Sequence, residues 1–299
     1  MSKKILEQDI PIINKMIKNI LGADGYKHIK RLGGLTDHTY RVTLDNNKDY
    51  IFRIPGEGTE DLINRVNEGI SSKLACKLGI DTNIIYFGTD GIKISDYIPN
   101  AVTMSSESLI SDRHIRQIAN ILNKLHTCGE DTGVPFEVFN MAANYEKIIK
   151  ELNVPMFSDY HERKLEVIKI KSEISHLANI CNVPCHNDPL CENWVEGNGR
   201  MYLIDWEYAG MNDGMWDVAD VSIEAGFNEE RDKFLLRNYL LREPSETDIK
   251  HFLANKIFVD YLWTLWAKAR VPYDGQPMED WASERYTRMS NNIKAFKLL

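Results

Sequence analysis

The stretch "PCHNDPLCENW", residues 184–194, places an imidazole, a carboxylate and two amides within a few positions of one another. His186, Asp188 and Asn193 form the pattern H-x-D-x4-N, and the apolar run "MYLI" then leads to Asp205. Phosphoryl transfer to a hydroxyl needs such groups, because one carboxylate orients and deprotonates the acceptor while hard oxygen ligands hold magnesium against the nucleotide phosphates. The pattern therefore indicates phosphoryl transfer.

A simpler interpretation is that Asp188 and Asn193 cap turns, as aspartate and asparagine often do. Taken one residue at a time, this simpler interpretation is the better one. The sequence "LIDWE" follows, however, at a separation that suits a metal-binding strand, and the combination favours a catalytic role for these side chains.

The composition is that of a globular protein with either two domains or one domain of two lobes. The chain has 299 residues, of which 43% are hydrophobic and 27% are charged. The net charge of −8 argues against a nucleic-acid partner, because phosphate backbones need a basic surface. No apolar run approaches the roughly 20 residues that span a bilayer, so no membrane span is expected. The amphipathic start lacks a signal-peptide core, which predicts a cytoplasmic protein; the oligomeric state stays open.

The five cysteines are odd in number and scattered, without a C-x-x-C pair. Reduced thiols are the simplest interpretation. Cys185, His186 and Cys191 lie close together, but their spacing fits no common zinc pattern, and a zinc site is not expected.

The first hundred residues predict a small antiparallel sheet with one inserted helix. Alternating apolar and polar residues indicate strands in "YKHIKRL", "TYRVTL" and "DYIFRI". Two further strand-like runs follow, "NIIYFG" and "IKISDYI". A helical pattern, "TEDLINRVNEGISSKLACKLG", lies between the third and fourth strands and stops at Gly79.

From Ser105 onward the pattern is largely helical. Apolar residues at helical spacing predict helices over 111–129, 159–181, 229–241, 246–269 and 278–296. Pro99 breaks the regular pattern, so the predicted boundary separates a nucleotide-binding lobe, residues 1–98, from a catalytic and acceptor-binding lobe, residues 99–299. A cleft between two such lobes is the expected place for a ligand.

"CHNDPLCENW" followed by "LIDWEYAGMNDGMWDVAD" resembles the choline/ethanolamine kinase family, and more closely its bacterial choline-kinase-like branch. That family belongs to the kinase-like aminoglycoside and choline phosphotransferases. "RLGGLTDHTYRV" and "FRIPG" extend the resemblance into the first lobe. It implies an α+β, two-lobed protein-kinase-like fold, with a small antiparallel β-rich N-terminal lobe and a larger, mainly helical C-terminal lobe. It also implies ATP and Mg²⁺ as cofactors.

The resemblance assigns roles to the residues of the opening motif. It makes Asp188 the catalytic base, and Asn193 and Asp205 the magnesium ligands. Asp217, in "MWDVAD", corresponds to an aspartate that braces the catalytic loop by hydrogen bonds. His186 either shapes that loop or is a buried histidine with satisfied hydrogen bonds, and both interpretations stay open.

On the nucleotide side, "GGLTDH" resembles a phosphate loop whose backbone N–H groups face the nucleotide, which implicates Gly33, Gly34 and Thr36. The family often has asparagine where this chain has Asp37, and an acid beside phosphates would repel them unless it capped the turn or faced away. The segment "SDYIP" resembles the hinge, whose backbone near Tyr97 and Ile98 would bond adenine.

Arg53 lies on the third predicted strand, where choline kinases commonly have arginine, and its forked guanidinium suits paired phosphate oxygens. Glu68, on the following helix, is the expected ion-pair partner of Arg53. The alternatives are that Glu68 is a solvated helix charge, or that Glu60 or Asp61 takes its place.

On the acceptor side, Trp263 and Trp266 are spaced i, i+3 on one helix face. Such a pair more often belongs to a core, but the resemblance puts both residues in register with an aromatic pocket for a quaternary ammonium group. Tyr208 is a further candidate, and Glu224 falls in register with an acidic residue of that pocket. Trp281 and Tyr286 could also contribute.

These observations predict an ATP- and magnesium-dependent kinase that phosphorylates choline, a small-molecule substrate. A kinase of the same fold could instead accept ethanolamine, an aminoglycoside or another small amino alcohol. A non-catalytic nucleotide-binding or ligand-binding protein would have no need of Asp188, Asn193 and Asp205 together. A protein kinase would need a longer activation segment than residues 205–217 provide.

Overall fold

The computed structural model describes residues 7–33, 37–56, 64–177 and 180–299. The chain divides into two compact units. The first contains Met1–Met104 and Glu192–Ala209, and the second contains Ser105–Cys191 and Gly210–Leu299. The residues predicted to be catalytic therefore lie in both units, because Asp188 belongs to the second unit while Asn193 and Asp205 belong to the first.

An antiparallel five-stranded sheet forms most of the first unit, and its strands match the five predicted from the sequence. The spatial order is β1-β2-β3-β5-β4. The strands are β1 Tyr26–Gly33, β2 Asp37–Leu44, β3 Asp49–Pro55, β4 Ile84–Phe87 and β5 Lys93–Asp96.

Helix α1, Ile10–Ile20, supplies one side of the core of this unit. Its buried residues Ile13, Met16 and Ile17 are spaced for one helix face, and they cluster with apolar side chains of β2 and β3 such as Val42 and Phe52. Fully burying one such side chain contributes about 1.5–3 kcal/mol. The face that α1 presents thus fixes β3, which carries Arg53.

The inserted helix, α2, spans Arg65–Lys77. The side chain of Asn64 caps it by accepting bonds from two backbone N–H groups, so the described helix begins later than the predicted start at residue 59. Residues 57–63 lie outside the described part of the chain. The predicted stop is confirmed: Gly79 has a φ of 64°, and its N–H donates to the carbonyl of Cys76 at 2.8 Å.

A small three-stranded sheet completes the first unit. It contains β6 Val102–Thr103, β8 Trp194–Gly197 and β9 Arg200–Leu203, in the order β6-β8-β9. Because β6 pairs with β8, the first unit continues to Met104, six residues beyond the predicted boundary at residue 98.

The second unit is mainly helical. Between its first helices and the rest lies one antiparallel strand pair, β7 Asn182–Cys185 with β10 Gly210–Asp213. The helices are α3 Ser106–Leu109, α4 Asp112–His126, α5 Val138–Glu151, α6 Tyr160–Leu177, α7 Met215–Glu224, α8 Glu229–Leu240, α9 Glu246–Asp274 and α10 Gln276–Phe296.

All five helices predicted for this unit are present, and α9 continues past the predicted end at residue 269 to Asp274. The pattern had not predicted α5. Helix α9 packs against α5, α6, α7 and α10, and its residues from Ile257 to Leu265 are buried. Among the described residues, no helix combines the length and the apolar character that crossing a membrane requires.

Candidate active site

Asp188 lies in the loop after β7, and a buried carboxylate holds this loop in place. Asp217, on α7, accepts hydrogen bonds from the backbone N–H groups of His186 at 2.7 Å and Asn187 at 2.8 Å. Its side chain is fully buried, and charge-assisted bonds of this kind are stronger than neutral ones. The predicted bracing role of Asp217 is confirmed.

Asn187 turns the chain sharply just before Asp188. Its φ of 67° lies in the left-handed region, which asparagine tolerates better than most residues. The indole N–H of Trp216 donates to its carbonyl oxygen at 3.0 Å, and the amide of Asn212 donates to its side-chain oxygen at 2.9 Å. The backbone N–H of Asp188 donates to Nδ1 of His186 at 3.3 Å, so this buried ring also shapes the loop.

A further layer of polar groups lies behind Asp217. Nε2 of His126 lies 3.1 Å from Asp217, and Nδ1 lies 2.9 Å from the hydroxyl of Tyr239. The thiol of Cys185 completes the cluster; burial, and then the charge of Asp217, raise its pKa well above the usual range. His126 bonds Asp217, and Asp217 in turn bonds the loop, so this cluster braces the loop that carries Asp188.

The predicted magnesium ligands lie in the first unit, at the open end of one β-hairpin, where its first strand begins and its second strand ends. Asn193 directly precedes β8, and Asp205 follows β9 by two residues, while Trp194 and Leu203 pair between the strands. The backbone N–H of Ile204 donates to the carbonyl oxygen of Asn193 at 2.9 Å. The hairpin therefore brings the backbones of the two predicted ligands together.

Asp205 has a left-handed φ of 70°, and 45% of its side chain is exposed. One of its carboxylate oxygens lies 3.7 Å from a guanidinium nitrogen of Arg53. Carboxylate and amide oxygens are the hard ligands that Mg²⁺ prefers, so Asp205 and Asn193 fit the predicted ion in donor type and in position along the hairpin.

Arg53, on β3, is almost entirely buried and pairs with the carboxylate of Glu68 on α2. The predicted Arg53–Glu68 ion pair is confirmed. Nε of Arg53 also lies 3.1 Å from Asp37. Burial opposes the charge of Arg53, but the carboxylates of Glu68, Asp37 and Asp205 outweigh it and raise the pKa of the guanidinium.

Arg65, at the start of α2, explains how the acid at position 37 is accommodated. Its guanidinium nitrogens lie 2.8 Å from Asp37 and 2.8 Å from Glu68. Two arginines, Arg53 and Arg65, therefore neutralise Asp37. This differs from both expectations, that Asp37 caps the turn or faces away. The i, i+3 spacing of Arg65 and Glu68 is visible in the sequence, but nothing there connects Arg65 to Asp37, and sequence reasoning missed Arg65.

The first unit collects more acidic than basic charge near Asp205. Burial, and then the charges of Asp205, Asp37 and Glu68, raise the pKa of Glu207 to about 8. This group has four carboxyl side chains and two guanidinium groups: Asp37, Glu68, Asp205 and Glu207 with Arg53 and Arg65. The surplus of negative charge is what a site for a divalent cation requires.

Several predicted nucleotide contacts stay predictions. Gly33 ends β1, whereas Gly34 and Thr36 lie outside the described residues, as do Glu60 and Asp61. The predicted hinge follows β5: Ile98 is buried, and the guanidinium of Arg41 stacks 4.1 Å above the ring of Tyr97.

The predicted aromatic residues of the acceptor side form a series in the second unit. Trp263 and Trp266 meet edge to face with ring centroids 6.1 Å apart, and Trp281 of α10 packs against Trp266 in the same manner at 5.9 Å. We call these three residues the tryptophan set. Tyr286 instead stacks on Phe157 with centroids 3.9 Å apart.

Glu224, at the end of α7, forms an ion pair with Arg285 of α10. The same guanidinium lies 3.1 Å from Asp260 and 4.1 Å above the ring of Trp281. Sequence reasoning missed Arg285 and Asp260, because their partners lie on other helices. Tyr208, also predicted for the acceptor side, belongs to the first unit.

Comparisons with known proteins agree with this arrangement. Residues 29–268 match the sequence profile of the family described as choline/ethanolamine kinase. Protein LicA of Haemophilus influenzae is 28% identical over 275 residues, which cover 90% of this chain and 78% of that protein.

Solved structures extend the similarity to nearly all of the chain. Choline kinase LicA from Streptococcus pneumoniae is 31% identical with a TM-score of 0.81, covering 97% of this chain and 100% of that one. A LicA solved in complex with AMP is 29% identical with a TM-score of 0.76, covering 96% and 98%. These similarities confirm the predicted kinase-like α+β fold. By the profile match, this chain belongs to the choline/ethanolamine kinase family and is a phosphotransferase that acts on the alcohol group of a small-molecule substrate.

Proposed function

We propose that this protein transfers the γ-phosphoryl group of ATP to the hydroxyl of choline, with Mg²⁺, and releases phosphocholine and ADP. The choline oxygen forms a bond to the γ-phosphorus, the bond to the β,γ-bridging oxygen breaks, and the hydroxyl proton passes to Asp188. Membership of the family, together with a similar protein named as a choline kinase, supports this assignment.

Catalysis rests on positioning and charge neutralisation, without a covalent enzyme intermediate. In this proposal Asn193 and Asp205 hold Mg²⁺, which when bound neutralises charge on the phosphates. Arg53 and the glycines Gly33 and Gly34 orient the phosphates, and the backbone near Tyr97 and Ile98 contacts adenine. The LicA complex with AMP supports nucleotide binding.

The observation that carries the choice of choline is the cation already present at the tryptophan set. The guanidinium of Arg285 lies 4.1 Å above the ring of Trp281, so this aromatic series attracts a positive charge even within the protein itself. A quaternary ammonium has no N–H to donate, and aromatic faces with acids nearby are its best partners. Trp263 and Trp266 continue the same series, and Glu224 brings a carboxylate to it through Arg285.

Ethanolamine is the nearest alternative acceptor, since the family profile covers both substrates. Its ammonium donates hydrogen bonds and needs more oxygen partners and fewer rings. An aminoglycoside or another amino alcohol would also keep the fold and change the acceptor. A protein that binds nucleotide without catalysis would keep the fold and lose turnover.

The experiment measures ADP release by the full chain with ATP and Mg²⁺ against choline, ethanolamine, other amino alcohols and aminoglycosides. We expect the highest kcat/KM with choline, and phosphocholine as the product by mass spectrometry. A higher kcat/KM with any other acceptor would reassign the substrate. Binding of nucleotide with no ADP release against the whole panel would reject the enzymatic proposal.

A further inference from the structure

A third acid lies on α7, between Asp217 and Glu224 and one turn before the latter. Asp220 is fully buried, and within the part of the chain that the structure describes neither of its carboxyl oxygens has a hydrogen-bond partner. A charged group buried without a partner is strongly destabilising, so such an acid stays neutral or is completed by something that binds. Asp220 has no role in the reaction described above, and the sequence pattern did not single it out.

The surroundings of Asp220 favour a positive ligand. Asp220 and Glu224 share one face of α7 because they are spaced i, i+4. The charges that act on Asp220 come from Glu224, Arg285, Asp188 and Asp217. Three of these four groups are acidic, so the region has a surplus of negative charge.

The nearby charges are already committed to other partners. Arg285 pairs with Glu224 and lies 3.1 Å from Asp260, and the carboxylate of Asp217 accepts the backbone bonds of the catalytic loop. Arg285, whose charge acts on Asp220, also lies over the ring of Trp281 in the tryptophan set. Burial, and then the charge of Glu224, raise the pKa of Asp220 well above the usual range, although the charge of Arg285 opposes this rise.

We propose that the buried carboxyl group of Asp220 gives up its proton when the cationic head of the acceptor binds, and that the resulting carboxylate pairs with that head. The O–H bond of the acid breaks, the proton passes to the buffer, and no other covalent bond changes. This inference rests on the proposed function and adds a specificity-determining residue to it. Binding of the acceptor cation is then an exchange of one positive charge for another.

This exchange of a proton for the acceptor cation explains why an acid that accepts no hydrogen bonds suits this position. A carboxylate that had backbone N–H partners would be ionised in the free protein and would gain less from a cation. A quaternary ammonium offers charge and no hydrogen bonds, and an acid whose oxygens are otherwise unpartnered can answer that charge directly.

The pH dependence of this exchange is set by the groups around α7. Titratable and charged residues on the elements packed against α7, and on α7 itself, include Asp217, Glu224, Asp188, His126, Asp232, Lys256, Asp260 and Arg285. Because Asp220 binds a proton in the free protein and loses it on binding, the affinity for choline increases as the pH rises toward the raised pKa of Asp220.

The test is calorimetric titration of choline into the full chain in two buffers of different ionisation enthalpy at the same pH. The difference between the two measured enthalpies counts the protons released. We expect about one proton released for each choline bound near neutral pH, falling toward zero well above the raised pKa. No proton release at any pH from a protein that binds choline would overturn the inference.

Variants separate this role from a structural one. Asp220→Asn should release no proton and raise KM for choline by about tenfold, with kcat changed by less than about threefold. Asp220→Glu, which keeps an acid, should restore part of the proton release if the chain melts normally. Asp232→Asn is the matched control: Asp232 is an acid with a raised pKa, but it is partnered by Lys256 at 2.5 Å, and the proton count should not change.

The proposed function and this inference fail in different ways. If the panel of acceptors shows that another amino alcohol is the substrate, the titration is repeated with that cation, and the proton count still decides the role of Asp220. If the substrate carries no positive charge, both are rejected. If Asp220→Asn folds and releases as many protons as the wild type, only the inference is rejected.

Discussion

At the scale of single residues, the proposed catalytic role of Asp188 depends on side chains that hold its loop in place. Asp188 is positioned by the bonds that Asp217 and Trp216 make to the two preceding residues. Because the loop is held from behind, removing the carboxylate of Asp188 leaves those bonds in place. Activity and folding should therefore respond separately to substitution at this position.

Asp188→Ala should lower kcat by about three orders of magnitude or more, because general-base catalysis and orientation of the acceptor are lost together. The melting temperature should stay within a few degrees of the wild type. Steady-state ADP release and thermal unfolding test this directly. Turnover close to that of the wild type would remove Asp188 as the base.

The pairing of Arg65 with Asp37 makes a second prediction at the residue scale. Arg65→Gln leaves the buried acid Asp37 with Arg53 as its remaining arginine, and it should lower the free energy of unfolding by about 3 kcal/mol. Adding Asp37→Asn removes the uncompensated acid, so the double variant should be more stable than Arg65→Gln alone. Urea unfolding of the single and double variants gives the coupling energy. Additive losses would show that Arg65 does not act through Asp37.

At the scale of elements, the sequence predicted what periodicity can encode. Strands β1 to β3 alternate apolar and polar residues, and α4, α6 and α10 bury apolar residues at helical spacing, so each was identified from its own sequence. The predicted helical pattern ran through Asn64, whereas the side chain of Asn64 caps α2, which begins at Arg65. Apolar periodicity alone does not identify such a cap.

Contacts between distant elements were beyond the same reasoning. Arg285 reaches Glu224 across 61 residues of sequence, and Arg65 reaches Asp37 across 28. The sequence could not single out Asp220 for another reason. What distinguishes this residue is that its carboxyl oxygens have no hydrogen-bond partner within the described chain, and a sequence does not show whether an acid is partnered or charged.

Helix α9 carries the prediction that discriminates between acceptors. Trp263→Ala removes a ring of the tryptophan set, and cation–π contacts contribute about 0.5–2 kcal/mol each. It should therefore raise KM for choline by about tenfold while raising that for ethanolamine much less, since ethanolamine can use hydrogen bonds. Steady-state kinetics with both acceptors measures the difference.

The control for this comparison lies on the same helix. Tyr273, near the end of α9, is 66% exposed. Tyr273→Ala should leave both KM values unchanged. Equal damage to choline and ethanolamine use in Trp263→Ala would mean that this ring packs the helices and does not select the acceptor.

At the scale of the whole molecule, opposite pKa shifts give stability opposite dependences on pH. The raised pKa of Asp220 means that the folded chain holds a proton that the unfolded chain releases, so the free energy of unfolding falls as the pH rises from the ordinary carboxyl range toward that pKa. Arg242 lowers the pKa of Asp248 to about 2, so its contribution is present above the ordinary carboxyl pKa and is lost in acid.

Asp220→Asn should therefore abolish the part of the stability loss that develops as the pH rises, and raise the melting temperature relative to the wild type above neutral pH. Asp248→Asn should instead remove a loss that develops on acidification. Melting curves across pH for the wild type and both variants check the two signs. If the melting temperatures of the wild type and of Asp220→Asn changed in parallel with pH, the carboxyl group of Asp220 would be ionised in the folded protein, which contradicts the prediction.

Ligand binding should also register in the stability of the whole chain. A ligand at about 100 times its Kd adds about 2.7 kcal/mol to the folded state, so ATP with Mg²⁺ should raise the melting temperature by several degrees. EDTA should cancel the part of this increase that depends on the metal.

Asp205→Ala should lose that same metal-dependent part, because the hairpin then presents Asn193 without the carboxylate that the ion requires. Asp45→Ala, which removes an exposed acid of the same unit, should behave like the wild type. Since thermal unfolding needs no turnover, an Asp205→Ala protein that still gained full stability from Mg²⁺ would exclude Asp205 as a ligand even if its activity were lost.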